Sequence, residues 1–328
     1  MAEPMAFSAG FMGGSLRISP CNLCPRLCGA RRDEGERGVC GADARIFAAR
    51  AALHFWEEPV ISGTRGSGTV FFSRCSLGCV YCQNAEIASD DAGIEVSVEG
   101  LADAFLRLQN QGALNINCVT PTHHSLAIVE AVHMARSSGL EVPIVWNTSG
   151  YERREAIRML EGAVDVYLTD FKYADVDLAR KYSHAGDYPE VALAAIGEML
   201  TCSGEPEFDE VDDAPRMVRG VVVRHMVLPG AAEESMRVLD ALYGAFGNRV
   251  LYSIMNQYTP VLSTRADAGD KQAQAVLERF PELGARVTDA DYERVLDHAD
   301  AIGIEDYFWQ QGPAALESFI PDWNGEGL

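Results

Sequence analysis

Residues 69–84 read TVFFSRCSLGCVYCQN, an apolar, β-rich run that leads directly into Cys75, Cys79 and Cys82. Three thiols in the order Cys-x3-Cys-x2-Cys on one short loop read as a ligand set. Thiolates bind zinc or iron-sulfur clusters, and four protein ligands close either kind of site. Three ligands therefore leave one position open, which in a cubane cluster is one iron free to take an outside ligand. Gly78 lets the backbone pass close to such a group, and Tyr81 offers an aromatic face to a neighbouring ligand.

Outward from this loop, short β-rich runs alternate with amphipathic helical stretches. The strands are expected at residues 69–73, 115–120, 142–148, 165–169, 218–228 and 250–255. Helical patterns fall at 98–110, 125–137, 152–160, 176–182 with 189–200, and 232–246. Six strands, the first five each followed by a helical stretch, predict an α/β fold with a parallel sheet and helices packed outside it. A closed eight-unit barrel takes about 250 residues, so a partial (β/α)6 TIM-like barrel fits better. Ligands in such sheets bind at the carboxyl ends of the strands, which puts the candidate site residues there.

The loop at 75–82 resembles that of the radical S-adenosylmethionine (SAM) enzymes, whose signature is Cys-x3-Cys-x-aromatic-Cys. The text of residues 69–84 is similar to the branch related to pyruvate formate-lyase activating enzymes, and the resemblance runs from about residue 50 to 310. It implies a [4Fe-4S] cluster on Cys75, Cys79 and Cys82 whose fourth iron chelates the amino and carboxylate groups of SAM. One electron would cleave the sulfonium, and the resulting 5'-deoxyadenosyl radical would remove a hydrogen atom from a substrate. A glycine of a partner glycyl-radical enzyme is one such substrate; a small molecule or a peptide is another. A non-catalytic iron-sulfur redox sensor would use the same cysteines.

The other strand ends carry the remaining candidates. Thr120, Thr122, His123 and His124 follow the second strand, where related enzymes hold the methionyl amino group. Thr120 and Thr122 are expected to contact the cofactor, and His123 or His124 to face substrate or else cap the next helix. Asn147, Thr148, Ser149, Gly150 and Tyr151 resemble the Asp-Thr-Asn-Gly-aromatic run of the activating enzymes, with asparagine replacing the aspartate that helps hold a monovalent cation there. Asp170 and Lys172 match their Asp-x-Lys, which implies that Lys172 pairs with the methionyl carboxylate while Asp170 holds it; a surface ion pair is the other reading. Arg224 and His225 are adjacent on a strand, so one of them points inward. Gln257 and Tyr258 are placed on the substrate side. Cys118 and Cys202 read as core cysteines.

Residues 1–50 form a second unit, with Cys21, Cys24, Cys28 and Cys40 in the order Cys-x2-Cys-x3-Cys-x11-Cys. Four thiolates on a short glycine-rich segment suit structural zinc or a fully ligated auxiliary cluster. The expected domains are this module, a barrel at 51–310 and a C-terminal tail at 311–328. The acidic stretch 201–216 is expected to be a solvated loop.

Composition narrows the partners. The net charge is −21 over 328 residues, which argues against nucleic acid. No apolar run reaches the length of a membrane span, and Met1 to Gly14 lack the positive start of a secretory signal, so a cytoplasmic location is expected. Residues 1–50 nevertheless carry seven arginines against five acids. An acidic flavodoxin or ferredoxin electron donor is therefore expected to dock there, guided by Arg26, Arg31, Arg32 and Arg37.

Overall fold

The computed structural model describes residues 16–89, 92–310 and 323–328. The leader-region expectation for residues 1–14 and most of the 311–328 tail lie outside them. The strands are β1 (Ile46–His54), β2 (Ser67–Phe72), β3 (Ile94–Val96), β4 (Ile116–Val119), β5 (Ile144–Thr148), β6 (Val166–Asp170), β7 (Glu207–Val211), β8 (Ala214–Met226), β9 (Leu251–Met255) and β10 (Tyr307–Trp309). The helices are α1 (Pro59–Ser62), α2 (Ala85–Ser89), α3 (Val98–Asn110), α4 (Ser125–Ser137), α5 (Arg154–Met159), α6 (Val176–Ser183), α7 (Tyr188–Ser203), α8 (Ala232–Phe246), α9 (Val261–Asp267), α10 (Lys271–Arg279) and α11 (Asp289–Ile302).

One sheet runs in the order β10-β9-β8-β6-β5-β4-β2-β1-β3, and β7 pairs with β8 outside that path. From β2 to β10 every neighbouring pair on this path is parallel. The six expected strands are all present in a mostly parallel α/β sheet whose ends do not pair with each other, as a partial barrel requires. β10 adds a seventh parallel strand of three residues, too short to show a period in the sequence.

Every residue of β2, β4 and β5 is buried. That is what helices on one face and barrel filling on the other demand, and it explains why these strands read as continuous apolar runs. α3 starts where Ser97 Oγ accepts the Gly100 amide, and it buries Leu101, Phe105 and Leu108 at i, i+4 and i+7. Full burial of such a side chain contributes about 1.5–3 kcal/mol. No helix among the described residues is long and apolar enough to cross a membrane.

Three departures from the sequence reading stand out. The acidic stretch 201–216 is not a solvated loop: α7 runs to Ser203, and β7 forms an antiparallel hairpin with an extended β8. Glu207, Asp209 and Glu210 lie on this exposed edge strand, where charge is expected and discourages further pairing. Secondly, β1 crosses residue 50 and pairs antiparallel with β2, so the N-terminal segment runs into the barrel sheet. Finally, residues at the C-terminus return to β1. The Ala51 amide donates to Glu326 O at 2.8 Å and the Gly325 amide to Ala49 O at 3.0 Å.

Candidate active site

A cavity of about 450 Å³ opens at the carboxyl ends of the parallel strands, lined by Cys75, Cys79 and Cys82 together with Asp170, Lys172 and Arg224. Three strand ends, those of β2, β6 and β8, bring these residues together from positions up to 149 apart in sequence. Gly150, at a φ of +77°, is required for this. A Cβ there would come within 2.3 Å of Asp170 O, so only glycine lets the turn after β5 lie against the end of β6.

The polar floor is a closed charge network. Lys172 Nζ donates to Asp170 Oδ2 at 2.6 Å, and Arg224 Nε donates to Asp170 Oδ1 at 3.0 Å. Arg224 reaches further, with Nη2 donating to Asn147 Oδ1 at 2.6 Å and Nη1 to Glu57 Oε2 at 3.1 Å. Asn117 and Asn147 donate their side-chain amides to Glu57 Oε1 at 2.9 and 3.1 Å. Burial alone would raise the Asp170 pKa, but the adjacent Lys172 and Arg224 charges hold it below the usual carboxylate range. Burial works against the Lys172 ammonium too, and Asp170 outweighs it, so the lysine pKa is raised. The Asp170–Lys172 pair is thus mostly buried, at 15% and 18% side-chain exposure, and it lies within the cavity rather than on the open surface.

Glu57 is the residue that sequence reasoning missed. It lies between β1 and α1, outside the strand-helix repeat, and its only local signal was an acidic pair following an aromatic residue. Asn147, which departs from the aspartate of the activating enzymes, bonds Arg224 and Glu57 instead. A guanidinium therefore stands where the resemblance pointed to a cation site.

The other candidates divide. Thr120 lines the cavity with φ at +58°, and its amide donates to Asn147 O at 2.9 Å. Thr148 also lines it, but its hydroxyl is committed to Glu152 at 2.7 Å, as is that of Thr122 at 2.6 Å. Neither His123 nor His124 faces the cavity. His123 is 2% exposed with Nε2 on Ser73 O at 2.7 Å, and burial pushes its pKa down to about 4. His124 occupies the N-cap position of α4, yet its side chain makes no capping bond. Strand alternation sends Arg224 into the cavity and His225 away, onto Phe171 O and Ser235 Oγ. Gln257 lines the cavity, whereas Tyr258 is 2% exposed and its hydroxyl donates to Leu283 O. Cys118 is fully buried, and Cys202 is half-buried near the end of α7.

Tyr81 lines the cavity and starts a relay of hydroxyls that ends on sulfur. Its hydroxyl lies 2.7 Å from that of Tyr173, which lies 2.8 Å from Ser183 Oγ, and Ser183 Oγ donates to Cys79 Sγ at 3.1 Å. Burial and the neighbouring thiols push Cys82 up to about 12, so in the metal-free chain this thiol is protonated at neutral pH. Binding to a metal centre must release that proton. Among the described residues no three His, Cys, Asp or Glu side chains converge closely enough to hold a single metal ion as they stand. A cubane does not need one point of convergence, because each cysteine ligates a different iron. Three thiols around one cavity with two cations beside them fit such a cluster and an anionic ligand on it.

The cysteines of the second group are not among the residues that line this cavity. Cys21 and Cys28 share a hydrogen bond, and a Cβ on Gly38 would sit 3.1 Å from Cys28 Sγ and 3.5 Å from Cys40 Sγ. Burial raises Cys24 to about 12. Two of the arginines expected to guide a donor are consumed internally. Arg32 is 2% exposed, with Nη1 donating to His123 O at 2.8 Å and Nε and Nη2 to Asp43 O. Arg26 is bound to four backbone carbonyls, while Arg31 and Arg37 are exposed.

Comparison with known proteins gives a family match and several similar proteins, among them these three. The sequence model of the Radical SAM superfamily matches residues 69–242. The chain is 25% identical to the uncharacterized protein MJ0674 of Methanocaldococcus jannaschii over 297 residues, which are 87% of this chain and 75% of that one. Among solved structures, a radical SAM methyltransferase from Sphaerobacter thermophilus aligns with a TM-score of 0.46 at 16% identity, over 76% of this chain and 69% of that one. Streptococcus suis SuiB, solved with its precursor peptide SuiA, aligns with a TM-score of 0.46 at 10% identity, over 73% of this chain. The match spans 46% of SuiB, less than half its length.

Proposed function

Since the chain belongs to the radical SAM superfamily, an assignment that carries a [4Fe-4S] cluster and SAM cleavage with it, we propose that Cys75, Cys79 and Cys82 hold that cluster and that Lys172 pairs with the SAM carboxylate. The observation that carries this reading is one cavity lined by all three thiols and by the buried Asp170–Lys172 pair. When bound, the cluster and SAM supply a 5'-deoxyadenosyl radical, and the cofactor bears this chemistry while the protein binds, orients and excludes water. Asp170 fixes the Lys172 ammonium by accepting its hydrogen bond at Oδ2, and Arg224, itself held by Glu57, fixes Asp170 in turn. Tyr81, Tyr173 and Ser183 set the hydrogen bond at Cys79 Sγ.

Lys172→Ala is expected to weaken SAM binding while leaving the cluster in place. A charge-assisted contact contributes about 1.5–3 kcal/mol, roughly a ten- to hundredfold loss of affinity. Equilibrium binding of SAM to the reconstituted variant measures it, and unchanged affinity would remove Lys172 from the site.

The substrate in this reading is a glycine of a partner glycyl-radical enzyme, in keeping with the activating-enzyme-like residues 147–151 and Asp170-x-Lys172. Incubating the reduced protein and SAM with such an enzyme should produce an EPR-detectable glycyl radical. Transfer of deuterium from a labelled small molecule or peptide into 5'-deoxyadenosine would replace that substrate.

The N-terminal quartet is assigned a metal of its own, supported by the Cys21–Cys28 hydrogen bond and by the approach of the Cys28 and Cys40 thiols to Gly38. In a Cys75, Cys79 and Cys82 triple alanine variant, retained stoichiometric zinc would identify a structural site, and retained iron with sulfide an auxiliary cluster. Loss of all metal would remove the quartet from the ligand sets. An acidic flavodoxin or ferredoxin remains the proposed electron donor, meeting the exposed Arg31 and Arg37 rather than Arg26 and Arg32.

A further inference from the structure

Arg26 stands between two cysteines of the N-terminal quartet, Cys24 and Cys28, yet its side chain belongs to the other cysteine set. Nε donates to Ser76 O at 3.0 Å and Nη2 to Leu77 O at 3.0 Å. Nη2 also donates to Ser183 O at 2.9 Å, and Nη1 to His184 O at 2.6 Å. Ser76 and Leu77 lie between Cys75 and Cys79, and Ser183 is the residue whose hydroxyl donates to Cys79 Sγ at 3.1 Å. The guanidinium also lies over the Tyr151 ring at 5.1 Å, in the turn after β5.

We propose that Arg26 makes the N-terminal module a working part of the cluster-binding site, as a positioning residue that clamps the 75–79 loop to the end of α6. This rests on the reading that Cys75, Cys79 and Cys82 hold the cluster. A guanidinium has five donor hydrogens in a fixed plane, which lets one side chain bind carbonyls of two chain segments at once. The barrel itself ties the loop to α6 through the Val80 amide on Tyr182 O at 2.8 Å and Ser183 Oγ on Cys79 Sγ, and Arg26 adds four bonds from a segment more than 45 residues earlier. The module is held in register by two further ties. Arg32 Nη1 donates to His123 O, and Arg153 Nη1 donates to Asn22 O.

Two consequences follow for the site. The clamp orders the backbone that carries the first two ligands before any metal arrives. It also sets a fixed positive charge beside the loop and holds Ser183 against Cys79 Sγ. Net charge and hydrogen bonds to the sulfurs tune the potential of such a cluster, and here both stabilise its reduced, more negative state.

The test compares the full chain with Arg26→Ala and Arg26→Lys. In the metal-free proteins, hydrogen exchange should speed up at residues 76–80 and 183–185 in Arg26→Ala, with the amides of α3 and α8 unchanged. After anaerobic reconstitution, the reduced EPR signal that responds to added SAM should show altered g values and a more negative midpoint in Arg26→Ala. Lysine retains the charge but cannot reproduce the planar fork, so Arg26→Lys should recover the midpoint more than the exchange protection. A role confined to folding would move neither the midpoint nor its recovery. Wild-type exchange rates, g values and midpoint in Arg26→Ala would overturn the proposal. If that variant does not fold, wild-type exchange at 76–80 in Arg26→Lys would overturn it. A SAM-responsive signal missing from the wild-type chain would overturn the cluster assignment itself, while the exchange measurement on metal-free protein still reads the clamp.

Discussion

Replacing any one of Cys75, Cys79 or Cys82 with alanine is expected to reduce SAM cleavage to the level of a reaction without protein. The three thiols line one cavity, and Ser183 is hydrogen-bonded to only one of them. Other cysteines are badly placed to substitute. Cys118 is fully buried in β4, Cys202 is near the end of α7, and none of the quartet lines the cavity. A two-thiol loop would leave a cubane with two unligated irons, and the chelating iron could no longer be distinguished from its neighbour. Quantifying 5'-deoxyadenosine after dithionite reduction measures the effect. Turnover in any of the three variants above a few per cent of wild type would refute the ligand assignment.

Much of this arrangement is legible in sequence because the relevant signals are local. The triplet sits on a single loop, and α3, α4 and α8 coincide with their expected spans because each carries a clear 3.6-residue period. Asp170 and Lys172 are two residues apart, so their pairing needs no knowledge of the rest of the fold. What escapes is built from distant parts. Glu57 meets Arg224 across 167 positions, and Arg26 meets Ser183 across 157. No spacing rule links such residues. His123 shows the opposite error: it follows a strand end, as a site residue should, but the turn carries it under the loop to Ser73 O. The acidic stretch at 207–213 misled because charge on an edge strand and charge on a loop look alike in composition.

Arg224→Met is expected to lose about 3–5 kcal/mol of stability, because removing one partner from a buried ion-pair network leaves uncompensated charge behind. Arg224 is 13% exposed and bonds three partners at once: Glu57, Asp170 and Asn147. Without it Glu57 keeps only two amide donors, and Asp170 keeps only Lys172. Arg224→Lys retains the charge but cannot span all three partners, so its loss should be smaller. The pH dependence provides an independent check. Asp170 has a folded pKa below its unfolded value of about 3.9, so the stability it contributes is present above that value and is lost as pH falls through the depressed folded one. Arg224→Met should weaken that acid dependence, because one of the two cations that depress Asp170 is gone. Denaturant unfolding of the metal-free chain, measured from neutral to acid pH, tests both statements. A loss under 1 kcal/mol at neutral pH, with an unaltered acid limb, would mean that the network contributes nothing net and that Glu57 takes up a proton when its partner is removed. A Glu57→Gln, Arg224→Met double variant separates those possibilities. If the carboxylate is the group left stranded, the double variant should be more stable than Arg224→Met alone, and the non-additivity measures the coupling between the two side chains.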